Sequence, residues 1–158
     1  MRDIVNEDDE VLGRADKSEF GAGGHICRVA FIMLANAKGE LLLHQRSANK
    51  RSYPLYWSGA AAGHLDAGES YEEAAIREMR EEIGVSADLE FVGKFYSEAD
   101  REMVGVFLGH YDGPIEVEPN EVAQVVYFTP RQLEQRPTEM RITSYVERSL
   151  PLVLERLS

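Results

Sequence analysis

Residues 63–85 read GHLDAGESYEEAAIREMREEIGV, which places six glutamates and one aspartate in twenty-three residues. On a helix at about 100° per residue, Glu78, Glu81 and Glu82 share one strip, and Ala75, Ile76, Met79 and Ile83 form an apolar strip beside it. The carboxylates then sit at the rim of the buried face rather than in bulk water. Like charges so placed repel by a few tenths of a kcal/mol per pair, and their pKa values rise unless something neutralises them. Arg77 and Arg80 are one neutralising source. A divalent cation is the other, because hard cations take oxygen ligands and Mg²⁺ commonly bridges carboxylates to phosphates. A solvated, Arg-studded helix face also accounts for the pattern if the helix is taken alone.

A second group of residues could meet a phosphate. Arg46, Lys50 and Arg51 lie in HQRSANKRSYPLYW, a basic and aromatic stretch of an otherwise acidic chain. Arg46 and Lys50 are the candidates for charged hydrogen bonds to phosphate oxygens. A solubilising loop is the alternative. Asp100 and Glu102 stand two apart, so on a strand both point to one face. Cys27 reads as a buried small hydrophobe, with no His-Asp or His-Asn partner evident nearby. No role is assigned to His25, His44 or His110.

These residues need elements to hold them. Ser70 with Glu73 forms a capping box, so a helix should begin near Tyr71 and stop at Gly84. Before it, IVNEDDEVL (4–12) reads as a short hairpin and GRADKSEFGAGGH (13–25) as a loop. ICRVAFIMLANAKGELLLHQRS reads as a second hairpin, apolar enough to be covered on both faces. SGAAAG permits close backbone approach. LEFVGKFYS, REMVGVFLGHYD and VAQVVYF read as strands. Thr129, Pro130 and Gln132 start a second helix, and MRITSYVERSLPLVLERL is a helical tail that breaks or restarts at Pro151. Strands with a helix between and a helix after predict an α/β fold, a mixed sheet flanked by helices.

Composition bounds the function. The 158 residues are 44% apolar, enough for one domain with a proper core. A net charge of −11 argues against a nucleic acid polymer or an anionic membrane as partner. A small anionic ligand is compatible if metal or local Lys/Arg neutralises it. One cysteine precludes an internal disulfide, and the N-terminus has no apolar signal core. A cytoplasmic protein is expected, with a homodimer allowed.

The helical stretch also matches G-x5-E-x7-R-E-U-x-E-E-x-G-U, where U is bulky and aliphatic. The matching residues are Gly63, Glu69, Arg77, Glu78, Met79, Glu81, Glu82, Gly84 and Val85. By this signature the chain resembles the Nudix family over roughly residues 25–155, with 1–24 as an N-terminal hairpin and loop of the same domain. The resemblance implies an α/β/α sandwich and Mg²⁺ (or Mn²⁺) held by Glu78, Glu81 and Glu82, with the Ala62 carbonyl joining them. It implies a salt bridge from Glu69 that orients Arg77. The implied reaction is attack of activated water on phosphorus in a nucleoside diphosphate linked to a group X, a carboxylate taking the proton. Glu78, Glu81 and Glu121 are the candidates for that catalytic work. Glu121 matches an extra family glutamate that serves as metal ligand or base.

NAKGELLLHQRS, YPLYW and the Gly-His opening the box also resemble the isopentenyl-diphosphate isomerase-like branch of the family. There Arg46 and Lys50 match diphosphate-binding positions, His64 a metal ligand, and Asp100 and Glu102 acidic residues that hold metal and move protons. Two departures count against isomerisation. Ala62 stands where the isomerases carry their catalytic cysteine, and Cys27 near where they carry a further metal-binding histidine. The R-E-U-x-E-E core, spoiled in the isomerases, is whole here. The expected protein is a Nudix pyrophosphohydrolase, with an isomerase or a non-catalytic nucleotide- or metabolite-binding module as alternatives.

Overall fold

The computed structural model describes residues 1–21 and 24–157. Its strands are β1 (Arg2–Val5), β2 (Val11–Ala15), β3 (Cys27–Ala35), β4 (Leu41–Arg46), β5 (Trp57–Ser58), β6 (Ala61–His64), β7 (Leu89–Ser97), β8 (Glu102–His110) and β9 (Val122–Phe128). Its helices are α1 (Tyr71–Ile83), α2 (Pro130–Glu134) and α3 (Ser144–Leu157). The loop expected at 13–25 is partly the end of β2 and a 3₁₀ turn at Lys17–Glu19. Positions 22 and 23 of that expectation lie outside the described residues.

β3 is the spine. It is buried along nearly its whole length, and its side chains alternate between two cores. Val29, Phe31 and Met33 pack with Leu133 of α2 and Val146, Leu150 and Val153 of α3. Ala30, Ile32 and Leu34 pack with Ala74, Ala75, Met79 and Ile83 of α1. A sheet covered on both faces is the α/β/α arrangement, and it is why this strand reads as an unbroken apolar run. The sheet is mixed: β3 runs parallel to β8 and antiparallel to β6, and β4 runs antiparallel to β9.

Three local expectations are corrected. β3 and β4 meet as a ladder only at Ala35 and Leu41. Past the turn β3 pairs with β6 and β8 while β4 turns to β5 and β9, so the expected hairpin is a fork between two parts of the sheet. Ile76 is 37% exposed, and Ala74 takes its expected place in the core. The terminal helix runs through Pro151 without breaking; the proline removes one N–H, but Val146, Leu150 and Val153 hold the segment to the core on both sides of it.

The N-terminal hairpin is fastened to the sheet and to the loop before α1. Val5 N–H donates to the Ile26 carbonyl, and Ala67 N–H to the Met1 carbonyl. Asp9 accepts from Arg28 of β3, Tyr71 of α1 and Lys94 of β7. Burial opposes ionisation of Asp9, yet those donors together hold its carboxyl below the usual value.

Candidate active site

The helix begins and ends where its caps predict. Ser70 accepts from Glu73 N–H while Glu73 accepts from Ser70 N–H. Gly84 closes the helix at φ 65° in the left-handed region. Burying Met79 and Ile83 anchors it to the sheet, worth about 1.5–3 kcal/mol for each side chain.

Anchored this way, α1 lays its carboxylates along β6. Arg77 is the hub. Its guanidinium donates through Nε to Glu69 at 2.8 Å and through Nη2 to the other Glu69 oxygen at 2.8 Å. It also reaches Glu78 at 2.8 Å and the His64 carbonyl at 3.1 Å. The bidentate pair holds Glu69 below the usual carboxylate range and Arg77 above its usual value. Helix and preceding loop are thereby locked in register, as the Glu69–Arg77 expectation required.

Glu78 lies directly over Gly63. A Cβ there would stand 2.0 Å from the Glu78 Cδ, so only glycine admits the carboxylate at this spot. Burial raises the Glu78 pKa, with Glu81 and Glu69 adding and Arg77 opposing. Glu82 is an exposed residue whose carboxylate nevertheless reaches back to β6 and accepts from Ala62 N–H at 2.8 Å. Burial there, reinforced by Glu78 and Glu81, pushes Glu82 up to about 7. Glu81 is the outermost, its side chain 59% exposed.

These are hard oxygen donors crowded on one rim, with the Arg77 guanidinium against Glu78 and Glu81. The set fits a Mg²⁺-like cation: Glu78, Glu81 and Glu82 would hold it, with the Ala62 carbonyl as an added donor. With Glu82 raised, a cation seated there would compete with a proton for its carboxylate.

A cavity of about 390 Å³ opens beside this rim. Arg46, Lys50, Ala62, Glu81, Glu82 and Glu121 all line it, so the structure brings the basic loop to the carboxylates. Lys50 pairs with Glu121, which holds the Glu121 carboxyl below its usual value. Arg46 donates to the Ser52 carbonyl at 3.0 Å.

The secondary candidates divide. His64 and Glu102 come together, Nε2 to Oε2 at 2.5 Å. Asp100 does not join them: β8 starts at Glu102, and Asp100 lies in the preceding turn, exposed and hydrogen-bonded to Ser97 at 2.9 Å. The shared-face expectation fails because the strand begins two residues later than it required. Cys27 is buried as expected, but it is not alone. Pairing of β3 with β6 and β8 sets its thiol 4.0 Å from Glu102, and Cys27, His64 and Glu102 offer donor atoms within 4.8 Å of one another. Tyr145 of α3 donates to the other Glu102 oxygen. Cys27 and Glu102 beside its ring raise His64 to about 9.

The sequence also left His44 without a role, yet it lines the cavity. Its signal was available: Leu42, His44 and Arg46 alternate along β4, so assigning Arg46 to the site brings His44 with it. The wall formed by Ile115 and Val117 carries no such signal, since it comes from an irregular loop.

Comparison with known proteins agrees with this geometry. The NUDIX domain family matches residues 25–148. An uncharacterized Nudix hydrolase of Pseudomonas aeruginosa is 36% identical over 129 residues, covering 80% of this chain and 76% of its own. The isopentenyl-diphosphate Delta-isomerase of Nocardia farcinica is 32% identical, covering 85% and 82%. The crystal structure of DR0079 from Deinococcus radiodurans superposes with a TM-score of 0.76 at 27% identity, covering 98% of this chain and 97% of that one. The chain belongs to the Nudix family, as a pyrophosphohydrolase.

Proposed function

We propose that this Nudix protein hydrolyses the phosphoanhydride of a small molecule carrying a diphosphate, such as a nucleoside diphosphate linked to X, with Mg²⁺ or Mn²⁺ as cofactor. The observation that carries the proposal is the convergence of Arg46 and Lys50 with Glu81, Glu82 and Glu121 on one cavity. Arg46 and Lys50 bind the diphosphate, and Glu78, Glu81 and Glu82 hold the cation. When bound, that cation neutralises phosphate oxygens and activates water. Glu78, Glu81 or Glu121 accepts the proton as water adds to phosphorus. Arg77, fixed by Glu69, keeps the carboxylates in place. Residues 1–24 are part of the same domain, their hairpin bracing the loop before α1 through Met1 and Asp3, and a cytoplasmic location suits a small phosphorylated substrate.

Ala62 supports hydrolysis over isomerisation because it places no ionisable group at the position the isomerases give to a thiol. Incubation with isopentenyl diphosphate and Mg²⁺ in D₂O tests this. No deuterium in the carbon skeleton is expected, while a panel of diphosphate-linked nucleotides should include one that is cleaved. Deuterium uptake at enzymatic rates without phosphate release would replace the hydrolase by an isomerase working through His64 and Glu102.

A further inference from the structure

The cavity has a second end. Leu42, His44 and Arg46 face it together from β4, and the half-buried His44 ring is fixed by its Nδ1, 2.6 Å from the Gly59 carbonyl oxygen. A carbonyl only accepts, so Nδ1 carries a proton. Burial, with Arg46 and Lys50 adding to it and the Gly59 contact opposing, holds the imidazole below its usual pKa, which favours the neutral ring. A neutral ring with Nδ1–H leaves Nε2 as a lone-pair acceptor. Nε2 has no hydrogen-bond partner among the described residues, and it is not sealed from solvent. Because Gly59 occupies Nδ1, Nε2 is the nitrogen left for a ligand.

Aliphatic side chains make up most of the rest: Ile83, Ile115, Val117 and Val125 pack into one cluster with Leu42 and line the cavity together with Ser58 and Glu118, and among the described residues no Phe, Tyr or Trp lines it. A nucleobase held by stacking would want an aromatic face. An anionic phosphate oxygen would be repelled by a lone pair, so His44 is not suited to the diphosphate. A donor on a compact aliphatic group satisfies both the wall and the nitrogen.

We propose that this end of the cavity is a subsite for the organic group next to the diphosphate, taking a branched aliphatic moiety that presents one hydrogen-bond donor, a hydroxyl in its simplest form, to His44 Nε2. The proposal rests on the hydrolase reading for the position of the diphosphate at Arg46 and Lys50. It makes His44 a specificity-determining residue. A ligand of the same shape without the donor would cover Nε2 and leave it unpaired, and it is rejected for that reason.

Two probes that differ by one oxygen test it: isopentyl diphosphate and 3-hydroxy-3-methylbutyl diphosphate, titrated calorimetrically into the full chain with Mg²⁺. The hydroxylated probe should bind the wild type about tenfold more tightly, the scale of one hydrogen bond whose loss leaves a partner unpaired. His44→Leu should abolish that preference while changing isopentyl diphosphate affinity by less than about twofold. His44→Gln, which keeps an acceptor near the Nε2 position, should restore part of it, and together with the wild-type comparison it decides the matter if the leucine variant fails to fold. Equal wild-type affinities, failure of both probes to bind, or equal weakening of both by His44→Leu would overturn the subsite; the last would assign His44 to the diphosphate. A preserved preference without cleavage of any diphosphate would overturn the hydrolase reading alone.

Discussion

Two clusters of ionisable groups flank β6, and they are built oppositely. On the α1 side, Glu78, Glu81 and Glu82 crowd one rim, Glu81 and Glu82 lining the cavity and Glu78 set over Gly63 beside it, with the Arg77 guanidinium against Glu78 and Glu81. On the other side, Cys27, His64, Glu102 and Tyr145 answer one another: an acid takes a thiol, an imidazole and a phenol. The first cluster stays crowded: burial, with the neighbouring carboxylates adding to it, raises the pKa values of Glu78 and Glu82. The second converts its charges into hydrogen bonds among its own members. Excess like charge left unsatisfied at a cavity is a place for a cation and an anionic substrate, whereas a satisfied network is a tie between β3, β6, β8 and α3. The donor types differ in the same sense, all oxygen on one side and N, S and O on the other.

The largest expected effect breaks the first cluster. Glu78→Gln or Glu82→Gln should reduce turnover by two or more powers of ten, the scale of losing acid/base or metal assistance. The fold should survive with unchanged or slightly higher stability, since like-charge crowding is relieved. Steady-state kinetics with a urea melt checks both halves, and wild-type activity with wild-type Mg²⁺ affinity in Glu82→Gln would refute the assignment.

Next comes the strand between the clusters. Gly63→Ala puts a methyl where Glu78 lies, 2.0 Å from its Cδ, so the carboxylate must move. A displacement of about 1 Å at a catalytic group is worth on the order of 100-fold in rate, with about 1–3 kcal/mol lost to overpacking. Retained activity with a destabilised fold would show that the placement of Glu78 is not critical.

Smaller again is the basic loop. Arg46→Ala or Lys50→Ala should lower kcat/KM by the equivalent of about 1–3 kcal/mol, the value of a charged hydrogen bond. Lys50→Ala also frees Glu121, so its KM for the metal is a second readout. Unchanged kinetics in both single variants would return the loop to a solubilising role.

The smallest effect tests the second cluster. His64 is raised to about 9, so its protonated form is favoured by the fold. That stability is fully present below the unfolded value of about 6.5 and is lost as pH rises toward 9. The side chain is 39% exposed, so screening keeps the effect modest. Urea midpoints across this window should fall more steeply for the wild type than for His64→Gln. Parallel slopes would show that the tie carries no net charge.

What could be read in the sequence was local chemistry and periodicity. Ser70, Glu73 and Gly84 fix α1 to within a residue of its observed ends, and the alternation along β3 reports its two covered faces. The hub at Arg77 was legible through the family resemblance, which implies its salt bridge to Glu69. What could not be read depends on strands that meet far apart in the chain. Cys27 has no partner until β3 pairs with β6 and β8, 37 and 75 positions away by the His64 and Glu102 contacts. Asp100 fell off its strand because a turn residue two places before β8 cannot share its pleat. Ile76 showed that helical spacing gives the direction of an apolar face but not its width.

The central claim is that the open cluster serves water attack on phosphorus rather than proton transfer at carbon. The most direct test is cleavage of a diphosphate-linked nucleotide in ¹⁸O-labelled water with Mg²⁺, followed by mass analysis of the phosphate products. One ¹⁸O per cleavage, carried on a phosphorus and lost together with turnover in Glu82→Gln, is predicted. Label on carbon, or release of product without label on phosphorus, would contradict the account.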